Sequence, residues 1–133
     1  EKEDFLNIYN GARALLWVAP LSWDTKLEIF AQKVANKSNP SCSESRGPSP
    51  YGQNIMAEYF VAHDVAGAWF REKDYYNSTT NSCMNGQDCT HYTQMVWENS
   101  VRIGCAIGVC GGGLPITNCQ YDPPGNIPGE APY

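Results

Sequence analysis

Six cysteines in 133 residues, Cys42, Cys83, Cys89, Cys105, Cys110 and Cys119, constrain this chain more than any other feature of it. An even number in so short a chain reads as a disulfide framework. Paired thiols persist in an oxidising compartment, so the pattern predicts an extracellular, secreted protein. The other use of clustered cysteines, a metal site, is opposed by the spacing: there is no Cys-x-x-Cys pair, and the only histidines are His63 and His91. Each closed loop would add about 2–4 kcal/mol. Six cysteines allow fifteen pairings, and spacing alone does not choose among them.

The bridges need not carry the fold alone, because 42% of residues are hydrophobic and 12% aromatic, enough to fill one core over residues 1–133. Charge removes one class of partner. Only 17% of residues are charged and the formal net charge is −5, so no basic surface is available to neutralise a phosphate backbone, and nucleic acid is not expected. No apolar run approaches the roughly 18 residues of a membrane span, which argues against integral membrane association. Glu1 does not open the basic-then-apolar pattern of a signal peptide, so the chain reads as a processed form. Two sequons, Asn36-Lys37-Ser38 and Asn77-Ser78-Thr79, make Asn36 and Asn77 candidate glycosylation sites and agree with a secretory route.

Over residues 5–16 the side chains Phe5, Ile8, Tyr9, Ala12, Leu15 and Leu16 recur at helical steps and predict a helix with one buried stripe. Pro20 and Trp23 break the pattern. Asp24 or Thr25, with Glu28 three residues after Thr25, then starts a second helix whose stripe is Leu27, Phe30, Ala31 and Val34. Residues 36–52 are rich in serine, proline and glycine, which favour turns, and Cys42 is placed to pin them. Residues 54–60 read as a short strand. A helix follows from about Asp64, with Val65, Ala68, Trp69 and, oddly, the carboxylate of Glu72 on one face. A polar stretch, 77–88, leads to a compact block, 90–97. Residues 100–110 and 115–121 read as paired strands around Gly111-Gly112-Gly113. That glycine run lacks a following helix and a partner lysine, so it is read as a hairpin turn rather than a phosphate cradle.

The block His91-Tyr92-Thr93-Gln94-Met95-Val96-Trp97 followed by Arg102-Ile103-Gly104-Cys105 resembles the signature of the CAP superfamily. Leu21-Ser22-Trp23-Asp24, Pro50-Tyr51-Gly52 and the ending from Cys119-Gln120-Tyr121-Asp122-Pro123-Pro124-Gly125-Asn126 to Pro132-Tyr133 are similar to its plant pathogenesis-related group 1 members. The resemblance implies an α+β fold, a three-layer α-β-α sandwich around an antiparallel sheet. It also implies the pairings Cys42 with Cys110, Cys83 with Cys89, and Cys105 with Cys119. CAP proteins usually place two histidines and two glutamates around one cavity, a set suited to zinc. Here the matching positions are Arg46, Gln53, Glu72 and His91, so half of the set is replaced. Arginine is a permanent cation offering only donors, and an amide is a poor ligand, so no metal is expected, at most a weak one at Glu72 and His91, and no other cofactor. Arg46 is expected to pair with Glu72 instead. His63 matches no family position and is expected at the surface.

No Gly-x-Ser-x-Gly elbow, His-Glu-x-x-His helix or unpaired cysteine beside a histidine is present, so the chain is not expected to be an enzyme. A metal-assisted hydrolase built on Glu72 and His91 is opposed by Arg46 and Gln53. The resemblance implies instead a monomeric defence protein of the apoplast that binds a sterol or other lipid of fungi or oomycetes. An open cleft among the aromatics of residues 75–84 would favour that reading, although the polar run Asn77-Ser78-Thr79-Thr80-Asn81-Ser82 weighs against contact with an apolar ligand there. The alternative is a precursor that releases its tail, 123–133, by cleavage between Asp122 and Pro123, for a peptide receptor. Three bridges would also let the protein persist in the environment, as allergens among its relatives do.

Overall fold

The computed structural model describes residues 1–37, 49–57, 59, 61–109 and 113–133. Helix α1 (Lys2–Leu15) turns Phe5, Tyr9, Ala12 and Arg13 into the interior, one turn apart. Leu15, placed in the buried stripe by its spacing, is 72% exposed instead, because Arg13 takes the inward position on the last turn. A two-residue strand β1 (Ser22–Trp23) leads to α2 (Thr25–Lys37). Of the two candidate starts, Asp24 is the one used: its Oδ1 accepts from the N–H groups of Lys26 and Leu27, which have no partner within the helix. Glu28 accepts instead from the indole N–H of Trp23, at 2.8 Å.

Strand β2 (Gly52–Ala57) precedes α3 (Ala62–Arg71), which buries Ala62, Val65, Ala66 and Trp69 at helical spacing. A single 3-10 turn (Glu72–Tyr75) carries the chain into a small hairpin, β3 (Tyr76–Asn77) and β4 (Ser82–Cys83), within the stretch read as merely polar. Helix α4 (Thr90–Met95) and the strands β5 (Arg102–Val109) and β6 (Pro115–Asp122) complete the fold.

The main sheet runs β1-β5-β6-β2. Its three long strands are antiparallel, as expected; β1 adds a short parallel edge pair, Ser22 with Arg102 and Trp23 with Ile103. Side chains alternate across β5. Ile103 and Cys105 join the core with α1, α3 and α4, whereas Gly104 and Gly108 lie against α2. A methyl group on Gly104 would fall 2.2 Å from the backbone nitrogen of Glu28, so only glycine lets α2 approach this closely. The sheet is thus covered on both faces, the expected sandwich. Cys105 and Cys119, directly opposite on β5 and β6, are bonded, and Cys83 is bonded to Cys89. Cys42 and Cys110 lie outside the described residues, as does Arg46.

Among the described residues no carboxylate is hydrogen-bonded to the buried Arg13. Its guanidinium donates to the carbonyls of Ala19, Met95, Trp97 and Ser100 at 2.6–3.2 Å, tying α1 to the turn between α4 and β5. Burial pulls its pKa down to about 10.

The 123–133 segment, the tail that the precursor reading would release, is docked. Gly125 N–H donates to Gln94, Asn126 exchanges hydrogen bonds with Thr90 and Thr93 on α4, and Glu98 N–H donates to the carbonyl of Pro132, which is buried.

Candidate functional site

Trp69 is fully buried on α3, and the His91 ring stacks on it with centroids 5.5 Å apart and planes 6° from parallel. Glu72, three residues beyond Trp69, opens the 3-10 turn, which aims its carboxylate at the start of α4. There Oε2 lies 2.7 Å from His91 Nδ1, and Oε1 accepts the N–H of Tyr92 at 2.9 Å. Both oxygens of Glu72 are therefore engaged by α4. Asp88 approaches the same ring nitrogen: its Oδ1 accepts from the N–H and hydroxyl of Thr90, and Oδ2 lies 4.0 Å from His91 Nδ1.

Beneath the histidine the network runs inward. Asn54 donates to the His91 carbonyl and to the hydroxyl of Tyr121, which is hydrogen-bonded to Tyr9 at 2.5 Å. Burial raises the pKa of both phenols, so they stay protonated at any physiological pH.

Gln53, the neighbour of Asn54, takes the opposite side of β2. Its side-chain oxygen accepts from Gln120 at 2.8 Å and from Asn118, in an amide layer that also holds Ser49. Of the four cavity positions, the structure joins Glu72 to His91 and places Gln53 in that layer. The expected partner of Glu72, Arg46, lies outside the described residues. Asp88 went unnoticed in the sequence, although an aspartate two residues before a short helix is a start signal. Its nearness to His91 is a local contact, three residues along the chain at the start of α4.

Glu72, Asp88 and His91 offer ligand atoms within 4.8 Å of one another, a mixed oxygen and nitrogen set of the kind that zinc accepts. In this arrangement the same groups hold one another. A cation on Nδ1 would have to break the 2.7 Å bond to Glu72, and Asp88 already caps α4 through Oδ1. What the arrangement does is lock α3, the 3-10 turn and α4 together through one charge-assisted pair.

His63 is at the surface, 71% exposed in its side chain, beside Asp64. Asn36 and Asn77 are exposed; Asn36 ends α2 and accepts from Gln32, whereas Asn77 caps its own turn through the N–H groups of Thr79 and Thr80. Asp122 is paired with Arg102 at 2.5 Å. No helix among the described residues is long and apolar enough to cross a membrane.

Two clefts bear on ligand binding. One, of about 550 Å³, opens between the 3-10 turn and the β3–β4 hairpin and is lined by Tyr75, Tyr76, Cys83 and Met84 together with the polar Asp74, Asn77, Ser78 and Ser82. The other, about 470 Å³, lies between α1 and α3 along Ile8, Leu15 and Phe70.

Comparison with known proteins agrees with this architecture. Pathogenesis-related protein 1A of Nicotiana tabacum is 41% identical over 135 residues, which span 99% of this chain and 80% of that protein. Pathogenesis-related protein 1 of Arabidopsis thaliana is 42% identical over 134 residues, 99% of this chain and 82% of that protein. A crystal structure of NaASP2 with Zn2+ superposes with a TM-score of 0.78, covering 98% of this chain and 83% of that one; at 22% identity it speaks for the fold. The Glu72–His91 pair, the strand cysteines and the layered fold fall within residues 6–121, which match the CAP family, described as the cysteine-rich secretory protein family. To that family the chain belongs, with plant pathogenesis-related 1 proteins as its relatives.

Proposed function

We propose that this chain is a secreted plant defence protein that holds a sterol or similar lipid, and that it works by binding rather than by catalysis. The observation that carries this reading is the open cleft of about 550 Å³ beside the β3–β4 hairpin, where Tyr75 and Met84 stand 39% and 58% exposed. Apolar side chains gathered at a concave surface lower their free energy when a ligand covers them. Secretion is supported by the two bridges and by the plant relatives. The Glu72–His91 pair is given a structural role, because neither oxygen of Glu72 is left for a substrate and the pair has no nucleophile assigned to it.

Titration with dehydroergosterol, with and without zinc, tests this. Saturable binding that zinc does not alter is the expected result, and Tyr75→Ser with Met84→Ser should weaken it about tenfold or more, the loss of two apolar contacts. No saturable binding would defeat the reading. The second reading, release of segment 123–133 for a receptor, has its support in the sequence of that segment. Its docking on α4 and the Arg102–Asp122 pair oppose cleavage of the folded chain, so release would need the segment to detach first.

A further inference from the structure

Segment 123–133 and the cleft share a wall. Tyr76 lines the cleft on one side, and its ring packs at 6.0 Å from Tyr92 of α4 and 6.5 Å from Tyr133 on the other. The hydroxyl of Tyr76 donates to Asn81 at 2.6 Å, and Asn81 in turn donates from Nδ2 to the carbonyl of Glu130. Asn81 holds a left-handed backbone, φ 49°, at the hairpin end, so its side chain is set by the turn it makes. The lining of the cleft holds no residue of the segment. The segment therefore does not fill the cleft; it braces the back of it. The hairpin has only two residues in each strand, too few to hold a fixed shape without outside support.

We propose that docking of segment 123–133 and the formed cleft are one coupled equilibrium, so that a bound sterol holds the segment down and loss of the segment weakens sterol binding. The ligand half of this rests on the reading of the cleft given above. Coupling is reciprocal: whatever factor the docked segment adds to sterol affinity, the sterol adds to docking. The two roles open to a chain like this then become alternatives. A loaded protein retains its segment, and an empty one exposes it to proteases.

Hydrogen exchange on the full chain reads both sides. The Glu98 amide, bonded to the Pro132 carbonyl, reports docking; the Met84 amide, bonded to the Tyr75 carbonyl, reports the cleft wall. Tyr133→Ala removes the brace at an exposed position, and Asn81→Gly removes the Glu130 contact while tolerating the left-handed backbone. In both variants the two amides should exchange faster together, and dehydroergosterol affinity should fall about fivefold or more, the same factor by which saturating dehydroergosterol slows Glu98 exchange in the unaltered chain. Faster Glu98 exchange with Met84 unchanged overturns the coupling, whether or not sterol binds. Equal sterol affinity in all three chains also overturns it, and leaves the ligand reading standing. If the amides move together and the unaltered chain binds no sterol, the brace stands and the ligand reading falls.

Discussion

The two faces of the sheet are held by different physics. Towards α2 the backbone of β5 is met closely, by Leu27 at Gly104 and by Ala35 at Gly108, and beside that contact Gln53, Asn118 and Gln120 form an amide layer on the same face. Towards α1, α3 and α4 the interior is threaded with polar groups, from Arg13 and its four carbonyls through Tyr9, Tyr121 and Asn54 to His91 and Glu72. A non-directional contact tolerates chemical change but not added volume. A hydrogen-bonded interior tolerates neither removal nor displacement of a partner, because each leaves a buried group unsatisfied. The site sits on the second face, built into its hydrogen-bonded network.

Substitutions should divide along this line. Gly104→Val should be the most damaging change on the α2 face, costing upwards of about 3 kcal/mol in urea unfolding, since the new side chain meets helix backbone that cannot yield. A loss below 1 kcal/mol would mean α2 can lift from the sheet. On the other face, Arg13→Met keeps most of the volume but strands four carbonyls, and should cost about 3 kcal/mol or more. A near-neutral result would erase the contrast between the faces. Glu72→Gln should lower stability by about 1–3 kcal/mol while leaving dehydroergosterol affinity within about twofold; loss of binding with an intact fold would bring the pair into the ligand site.

High pH offers a gentler probe. Tyr9 and Tyr121 have phenols raised above the ordinary 10.0 by burial, so the native chain keeps protons that the unfolded chain gives up. Their contribution is fully present below about pH 10 and is lost above it, by about 1.4 kcal/mol per pH unit for each tyrosine. Arg13, whose pKa is lowered to about 10, acts in the opposite sense over the same range. Tyr9→Phe should therefore flatten the alkaline fall in stability, and an unchanged slope would place the titration elsewhere. The smallest effect should be at Asp24→Ala, about 1 kcal/mol from the lost start of α2, with both faces otherwise intact.

What the sequence determined by itself is what depends on near neighbours. The period of Phe5, Tyr9 and Ala12 specified α1, the Asp24-Thr25 pair marked where α2 begins, and the two runs around the glycines paired as β5 and β6. The family motif pointed to Glu72 and His91, because their types and order are written in the chain. Only the tertiary structure could decide the rest. Nineteen positions separate those two residues, and whether they meet depends on how α3 crosses α4. That Leu15 yields the inward place to Arg13 follows from carbonyls 82–87 residues away. The parallel seat of β1, the amide layer that gathers Gln53 with Asn118 and Gln120, and the docking of residues 123–133 are likewise long-range events. Local preference is worth tenths of a kcal/mol to about 1 kcal/mol per residue, while burying a charged group without partners costs several, so where the two compete the distant contact decides.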